Sequence, residues 1–187
     1  MNAPFRKPMT VAEFLSWTEA RPDGRRYRLI DGEPVRMAAE RSRQSKAKFR
    51  AAKALEAAIL DANVPCHVLP DGITVMVDEH TPYEPDASVY SGEEIDDDAM
   101  VLPNPLIVVE VLSPRTAHID TGIKLAGYFK IPSVQHYLIV DPVKRRIVRH
   151  SRATGGRIET AIFESGDIDL DPPGISVELD DILPAGR

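Results

Sequence analysis

The run Ile107-Val108-Val109-Glu110-Val111-Leu112 limits what this chain can become more than any other stretch. Almost every residue in it is β-branched or aliphatic, so it reads as a central strand covered on both faces. Glu110 breaks the run, and no segment approaches the ~20 apolar residues that span a bilayer. A membrane protein is excluded on that ground. A carboxylate inside such a strand costs several kcal/mol, roughly, unless a cation compensates it.

The flanking elements follow from local signals. Thr10 with Glu13 three residues on makes a capping box ahead of an apolar stripe through Phe14 and Trp17, which predicts a short helix. Asp31-Gly32 between alternating runs from Tyr27 to Met37 predicts a hairpin. From Arg43 to Leu60, Ala47, Ala51, Ala54, Leu55 and Ala58 follow helical spacing and form a buried stripe. Strands are expected at Cys66–Leu69 and Ile73–Val77, then an acidic turn ending at Pro85-Asp86-Ala87-Ser88-Val89-Tyr90, then an exposed loop from Glu93 to Pro105. After the central strand come a helix starting at Thr116 or Asp120 and running to about Lys130, a strand at His136–Val140, and a closing hairpin of Arg146–Arg149 with Ile158–Phe163. This order gives an α/β (α+β) architecture, a mixed sheet with helices against it and an N-terminal helix and hairpin. With 187 residues and no linker, one domain over 1–187 is expected, its core at about 9–165 and a C-terminal tail at 166–187.

Composition narrows the function. One cysteine, Cys66, rules out an internal disulfide framework and a Cys-based zinc cage, and it places the chain in a reducing cytoplasm. The five histidines show no i, i+4 pair, which argues against zinc. No phosphate-binding Gly-rich loop is present, and Ser113 lacks the Gly-x-Ser-x-Gly elbow of a serine hydrolase. The N-terminus has charge but no apolar stretch behind it, so it does not read as a secretion signal. The net charge of −6 hides a split: residues 1–53 carry +7, the remainder −13, and residues 71–100 hold ten acids with no Lys or Arg. On the long helix Arg43, Lys46, Arg50 and Lys53 recur at i, i+3, i+7 and i+10, a stripe that is either a nucleic-acid contact or a solvated face.

Strand alternation puts Glu110 on one face with Val108 and Leu112, and Asp86 on one face with Ser88 and Tyr90 of a neighbouring strand. Two converging carboxylates suit a hard cation such as Mg²⁺, while a buried ion pair between Glu110 and an Arg or Lys explains the same residue. Asp120, Lys124 and Tyr128, at i, i+4 and i+8, share one stripe of the following helix. Lys124 there either orients a metal-bound water and stabilises charge on phosphorus or simply pairs with Asp120. Tyr128 and Tyr137 read as packing residues rather than base-stacking platforms.

Taken together, Pro85-Asp86, Glu110-Val111-Leu112-Ser113-Pro114, Asp120 with Lys124 and Tyr128, Tyr137-Leu138-Ile139-Val140-Asp141-Pro142 and the hairpin Tyr27-Arg28-Leu29-Ile30-Asp31-Gly32-Glu33 resemble the Uma-type restriction endonuclease family over about residues 9 to 165. That family is placed in the PD-(D/E)XK nuclease superfamily. The resemblance implies a restriction-endonuclease-like mixed sheet flanked by helices and a Mg²⁺- or Mn²⁺-dependent endonuclease hydrolysing phosphodiester bonds, with DNA the expected substrate. It implies Asp86 and Glu110 as catalytic metal ligands, the carbonyl of Val111 as a further ligand, and Lys124 as the catalytic lysine, since Leu112 stands where the superfamily's general pattern has Lys. Glu33, Asp120 and Tyr128 are accessory candidates, and the nucleic-acid contact falls to Arg43, Lys46, Arg50 and Lys53. One site in a short domain also implies a homodimer for cutting both strands. The pattern departs at Arg28, where Glu is usual, at Arg115 of Ser113-Pro114-Arg115-Thr116, and around Arg43-Gln44-Ser45, where the His that usually opens the long helix is missing. The alternative is a catalytically inactive module that keeps the nuclease fold for nucleic-acid binding or homodimerisation.

Overall fold

The computed structural model describes residues 7–113 and 120–185, the side chains of Asp120 and Thr121 excepted. Thr10 caps α1 (Val11–Glu19) through the reciprocal capping box with Glu13. The hairpin of β1 (Tyr27–Ile30) and β2 (Glu33–Arg36) turns at Asp31 and Gly32, whose φ of 49° and 75° are the two positive values a type I′ turn requires. Helix α2 (Ser42–Ala62) ends at Asn63 in the left-handed conformation. Its buried residues are Gln44, Ala47, Ala51, Ala54, Leu55 and Ile59, so the expected apolar stripe forms, with Ile59 in place of Ala58.

The six-stranded sheet comprises β3 (Cys66–Pro70), β6 (Ala87–Ser91), β7 (Pro105–Val111), β8 (His136–Asp141), β9 (Arg146–Arg152) and β10 (Ile158–Phe163), in the order β10-β9-β8-β7-β6-β3. The ladder between β7 and β8 is parallel and the other ladders are antiparallel. A parallel neighbour needs a crossover, and α3 (Asp120–Tyr128) supplies it. The expected strand near Ile73 is displaced: β4 (Val75–Asp78) pairs with β5 (Thr81–Tyr83) in a ribbon of its own. The 93–105 segment is mostly exposed, yet Leu102 is buried and Val101 bridges to Thr74.

Alternation along β7 divides the core. Ile107, Val109 and Val111 face α2, joined there by Ala87, Val89, Leu138, Val140 and Ile147. Val108 faces the α3 side with Tyr90, Tyr128, Tyr137 and Ile139. The segment 166–187 is expected as a tail outside the core, but within its described part, 166–185, stand β11 (Asp167–Leu170), β12 (Ile175–Glu178) and α4 (Leu179–Ile182). Ile168, Leu170, Ile175, Val177, Leu179 and Ile182 pack into the α2-side core, each stabilising it by ~1.5–3 kcal/mol. Among the described residues no helix is long and apolar enough to cross a membrane.

Candidate active site

The site is built where β6 begins beside the end of β7. Asp86 immediately precedes β6, and its backbone N–H donates to the Val109 carbonyl at 2.8 Å. Its side chain then continues the ladder, with Oδ2 accepting from the Val111 N–H at 2.5 Å. One residue away on β7, Glu110 points to the α3 side. Its Oε1 accepts from Lys124 Nζ at 2.8 Å and from the Tyr128 hydroxyl at 2.6 Å. Helical spacing places Lys124 and Tyr128 on one stripe, and that stripe meets the strand carboxylate. Asp120 opens α3, but its side chain lies outside the described residues, as does Arg115.

Both carboxylates are buried, at 8% and 9% exposure, in a chain where an unpaired buried charge would be prohibitive. Lys48 of α2 supplies the cation for Asp86: Nζ stands 2.7 Å from Oδ1, 2.8 Å from Glu40 and 3.4 Å from Asp71. Arg26 forks onto Asp71 at 3.1 and 3.3 Å and reaches Glu84 at 3.5 Å. Burial pushes the Asp86 carboxyl up to about 6, and the negative charge of Glu110 adds to the rise while Lys48 opposes it. Burial also raises Glu84 and disfavours the charge on Lys48, yet Asp86, Glu40 and Asp71 together hold Lys48 above the ordinary lysine value. Tyr128 is fully buried, and burial together with the Glu110 charge raises its hydroxyl well above the usual phenol value, so it acts as a donor. Tyr83 closes this side, its ring edge-on to Tyr128 and 5.7 Å from Lys124 Nζ.

The structure therefore brings together Asp86, Glu110, Lys124 and Tyr128, with Val111 between the carboxylates. Glu33 is not part of this cluster: it stands exposed on β2, and among the described residues it makes no hydrogen bond or ion pair to either carboxylate. Nor is the basic stripe. Lys46 and Arg50 each lie two residues from Lys48, ~160° round the helix, so they point away from the carboxylates. They line a cavity of about 450 Å³ with Phe49, Lys53 and Asp181, on the outer face of α2. Two residues of the site escape the sequence reading, Lys48 and Gln44. Gln44 is buried and donates to the Leu112 carbonyl at 3.4 Å, and among the described residues its Oε1 has no partner. The sequence does carry a signal for both, because they sit at i and i+4 on the apolar side of α2, where a polar side chain needs a reason.

The donor set fits a hard divalent ion better than zinc. Among the described residues no three His, Cys, Asp or Glu side chains cluster as a metal cage, and the site offers two carboxylates that leave the remaining positions to backbone and water, as Mg²⁺ prefers. Among the described residues the connected network also carries five carboxylates, Glu40, Asp71, Glu84, Asp86 and Glu110, against three cations, Arg26, Lys48 and Lys124. A divalent cation would offset that excess.

A mixed sheet with a carboxylate pair at the ends of two adjacent strands and a lysine from the crossover helix defines a restriction-endonuclease-like domain. The chain belongs to the Uma2 family, described as "Putative restriction endonuclease", whose model matches residues 11–184. It is similar to two proteins of Synechocystis sp., both named as uncharacterized: sll1609, 29% identical over 81% of this chain and 84% of that one, and slr1290, 27% identical over 96% and 93%. Its fold is similar to the crystal structure of "a putative nuclease belonging to DUF820" from Anabaena variabilis, with a TM-score of 0.71 at 14% identity, covering 94% of this chain and 97% of that one. Family membership thus points to a nuclease, a hydrolase of phosphodiester bonds with nucleic acid as its substrate class.

Proposed function

We propose that this protein is a divalent-metal-dependent endonuclease acting on DNA, with Asp86 and Glu110 as ligands of Mg²⁺ or Mn²⁺ and Lys124 as the catalytic lysine. The observation that supports it most is the meeting of Lys124 with Glu110 at 2.8 Å, one residue from the Val111 N–H that holds Asp86. The bound ion would supply Lewis acidity, lowering the pKa of a water and offsetting negative charge on phosphorus. The Val111 carbonyl completes the ligand set in this reading. Asp86 is ordered for its task because one oxygen is fixed by the backbone and the other by Lys48. Lys124, carrying positive charge into a water-poor pocket, orients the attacking water and stabilises the charge that develops on the phosphoryl oxygens. Tyr128 holds Glu110 in place from below.

A second reading has an observation of its own. Each carboxylate already has an ammonium partner, which is how an inactive module would satisfy two buried charges. The two readings separate on metal binding. Calorimetric titration with Mn²⁺ is expected to show binding by the wild type and none by Asp86→Ala or Glu110→Ala, with plasmid cleavage in Mg²⁺ or Mn²⁺ abolished in the same variants. Unchanged binding in both variants would move the site elsewhere, and no binding by a folded wild type would favour the inactive module.

A further inference from the structure

The two edges of the six-stranded sheet are built differently. β3 ends in Pro70 and lies against α2, so that edge is guarded. β10 is six residues long, Ile-Glu-Thr-Ala-Ile-Phe, with no Pro or Lys, and among the described residues no backbone hydrogen bond reaches residues 158–163 from the side away from β9. Ile158 and Ile162 are 41% and 60% exposed and lie on the same face, with Thr160 between them. An edge of this length with unpaired backbone groups, two exposed isoleucines and a single charge, Glu159, is a template for another strand.

We infer that β10 pairs antiparallel with β10 of a second copy of this chain, about a two-fold axis through Thr160. The register follows from symmetry and chemistry. A two-fold axis perpendicular to the sheet requires opposed residues to share a face, so their numbers must add to an even value. Centring on Thr160 sets Ile158 opposite Ile162 of the second copy and the reverse, so that an isoleucine pair lies on each side of the self-opposed Thr160. On the other face Glu159 meets Ala161 of the second copy. Ala161 is small, and its neighbour on β9 is Arg149. The Arg149 guanidinium is engaged within its own copy, over the Phe163 ring and donating to the Asp169 carbonyl, so this face contributes a small-residue contact and no ion pair. The register is self-complementary through its isoleucine pairs.

The pairing would join two six-stranded sheets into one, across which the twist of ~20–25° per strand accumulates. β7 lies three strands in from β10, so the two copies of β7 stand seven spacings apart, ~34 Å at ~4.8 Å each. The dimer itself does not rest on the nuclease reading, because an inactive module would pair in the same way.

Sedimentation analysis of the wild type is expected to show a dimer, and Ile158→Lys with Ile162→Lys a monomer whose circular dichroism matches the wild type, since both positions are exposed. Thr160→Cys, self-opposed across the axis, should form a disulfide-linked dimer under copper-catalysed air oxidation, two thiols giving up their hydrogens to oxygen as one S–S bond forms. Val143→Cys, exposed on the β8–β9 turn, should not, and the native Cys66 is buried. The proposal is overturned if the wild type sediments as a monomer, if the dimer survives both lysines, or if Thr160→Cys crosslinks no faster than Val143→Cys. Should the double lysine variant lose its fold, the crosslink decides alone.

Discussion

Two helices of this molecule carry charged stripes at regular helical spacing, and they face opposite fates. On α3, Lys124 and Tyr128 point inward and meet the buried carboxylate of Glu110. On α2, Arg43, Lys46 and Lys53 point outward into solvent, with Arg50 half-buried beside them. Spacing alone does not separate the two cases. What separates them is whether the stripe is turned toward a buried carboxylate: that of α3 meets Glu110, whereas on α2 it is Lys48, outside the stripe, that meets Asp86. A periodic charge pattern acquires chemical meaning from the partner it is turned toward.

The sharpest way to break this contrast is to remove the inward lysine. Lys124→Ala is expected to reduce cleavage by ~100-fold or more while Mn²⁺ and DNA still bind, because an interaction made in the transition state is gone. Wild-type turnover in this variant, followed on plasmid substrate, would leave Lys124 a structural ion pair.

Lys48 tests the inward class a second time. Lys48→Met should cost about 2 kcal/mol in denaturant unfolding, less than the ~3–5 kcal/mol of a fully buried pair because the ammonium keeps some access to water. It should also raise Asp86 further, and the sign of the pH effect follows. Asp86 sits at about 6 in the fold, above its ordinary value, so its contribution to the stability of metal-free protein is complete below ~4 and is lost as pH rises through about 6. The stability difference between wild type and Asp86→Asn, measured without metal, should move against the wild type over that interval. Mn²⁺ affinity should run the other way, strengthening as Asp86 ionises, and in Lys48→Met that rise should begin at higher pH.

The outward stripe should show the smallest effect on chemistry. Replacing Arg43, Lys46, Arg50 and Lys53 together is expected to leave single-turnover cleavage of saturating substrate unchanged. The salt dependence of DNA binding should flatten by about one unit of slope for each phosphate that is no longer neutralised. An unaltered slope would make the stripe a solvated face.

Much of this architecture is legible in the order of the amino acids. The aliphatic run around Glu110, the Asp31-Gly32 turn and the alanine stripe of α2 each carry a local pattern strong enough to fix an element. Glu110 is conspicuous as a carboxylate inside an aliphatic strand, whereas Asp86 and Lys124 stand out only through the family resemblance, because an i, i+4 Asp–Lys pair is ordinary on a helix. Lys48 escapes notice because it sits among Arg43, Lys46, Arg50 and Lys53, where one more cation looks ordinary, although its position on the apolar side of the helix is different. The segment 167–182 is hidden for another reason. Ile168 and Leu170, then Ile175 and Val177, alternate correctly, but in two runs of four residues flanked by Asp, Pro and Gly. Such short runs declare themselves only when α2 is present to cover. Glu33 lies outside the cluster because a turn motif fixes backbone shape and says nothing about which face of the hairpin will meet the sheet.

The packing of that late segment against α2 has a consequence for how the protein is made. Ala47, Ala51 and Leu55 share a core with Ile168, Val177, Leu179 and Ile182, more than 110 residues further along the chain. During synthesis α2 leaves the ribosome early, and part of its apolar side stays uncovered until residue 182 has followed. A growing chain in that condition is sticky and incomplete, and Lys48 rides on the same unsupported helix. The Lys48 side of the candidate site would then be assembled only after residue 182 has been made.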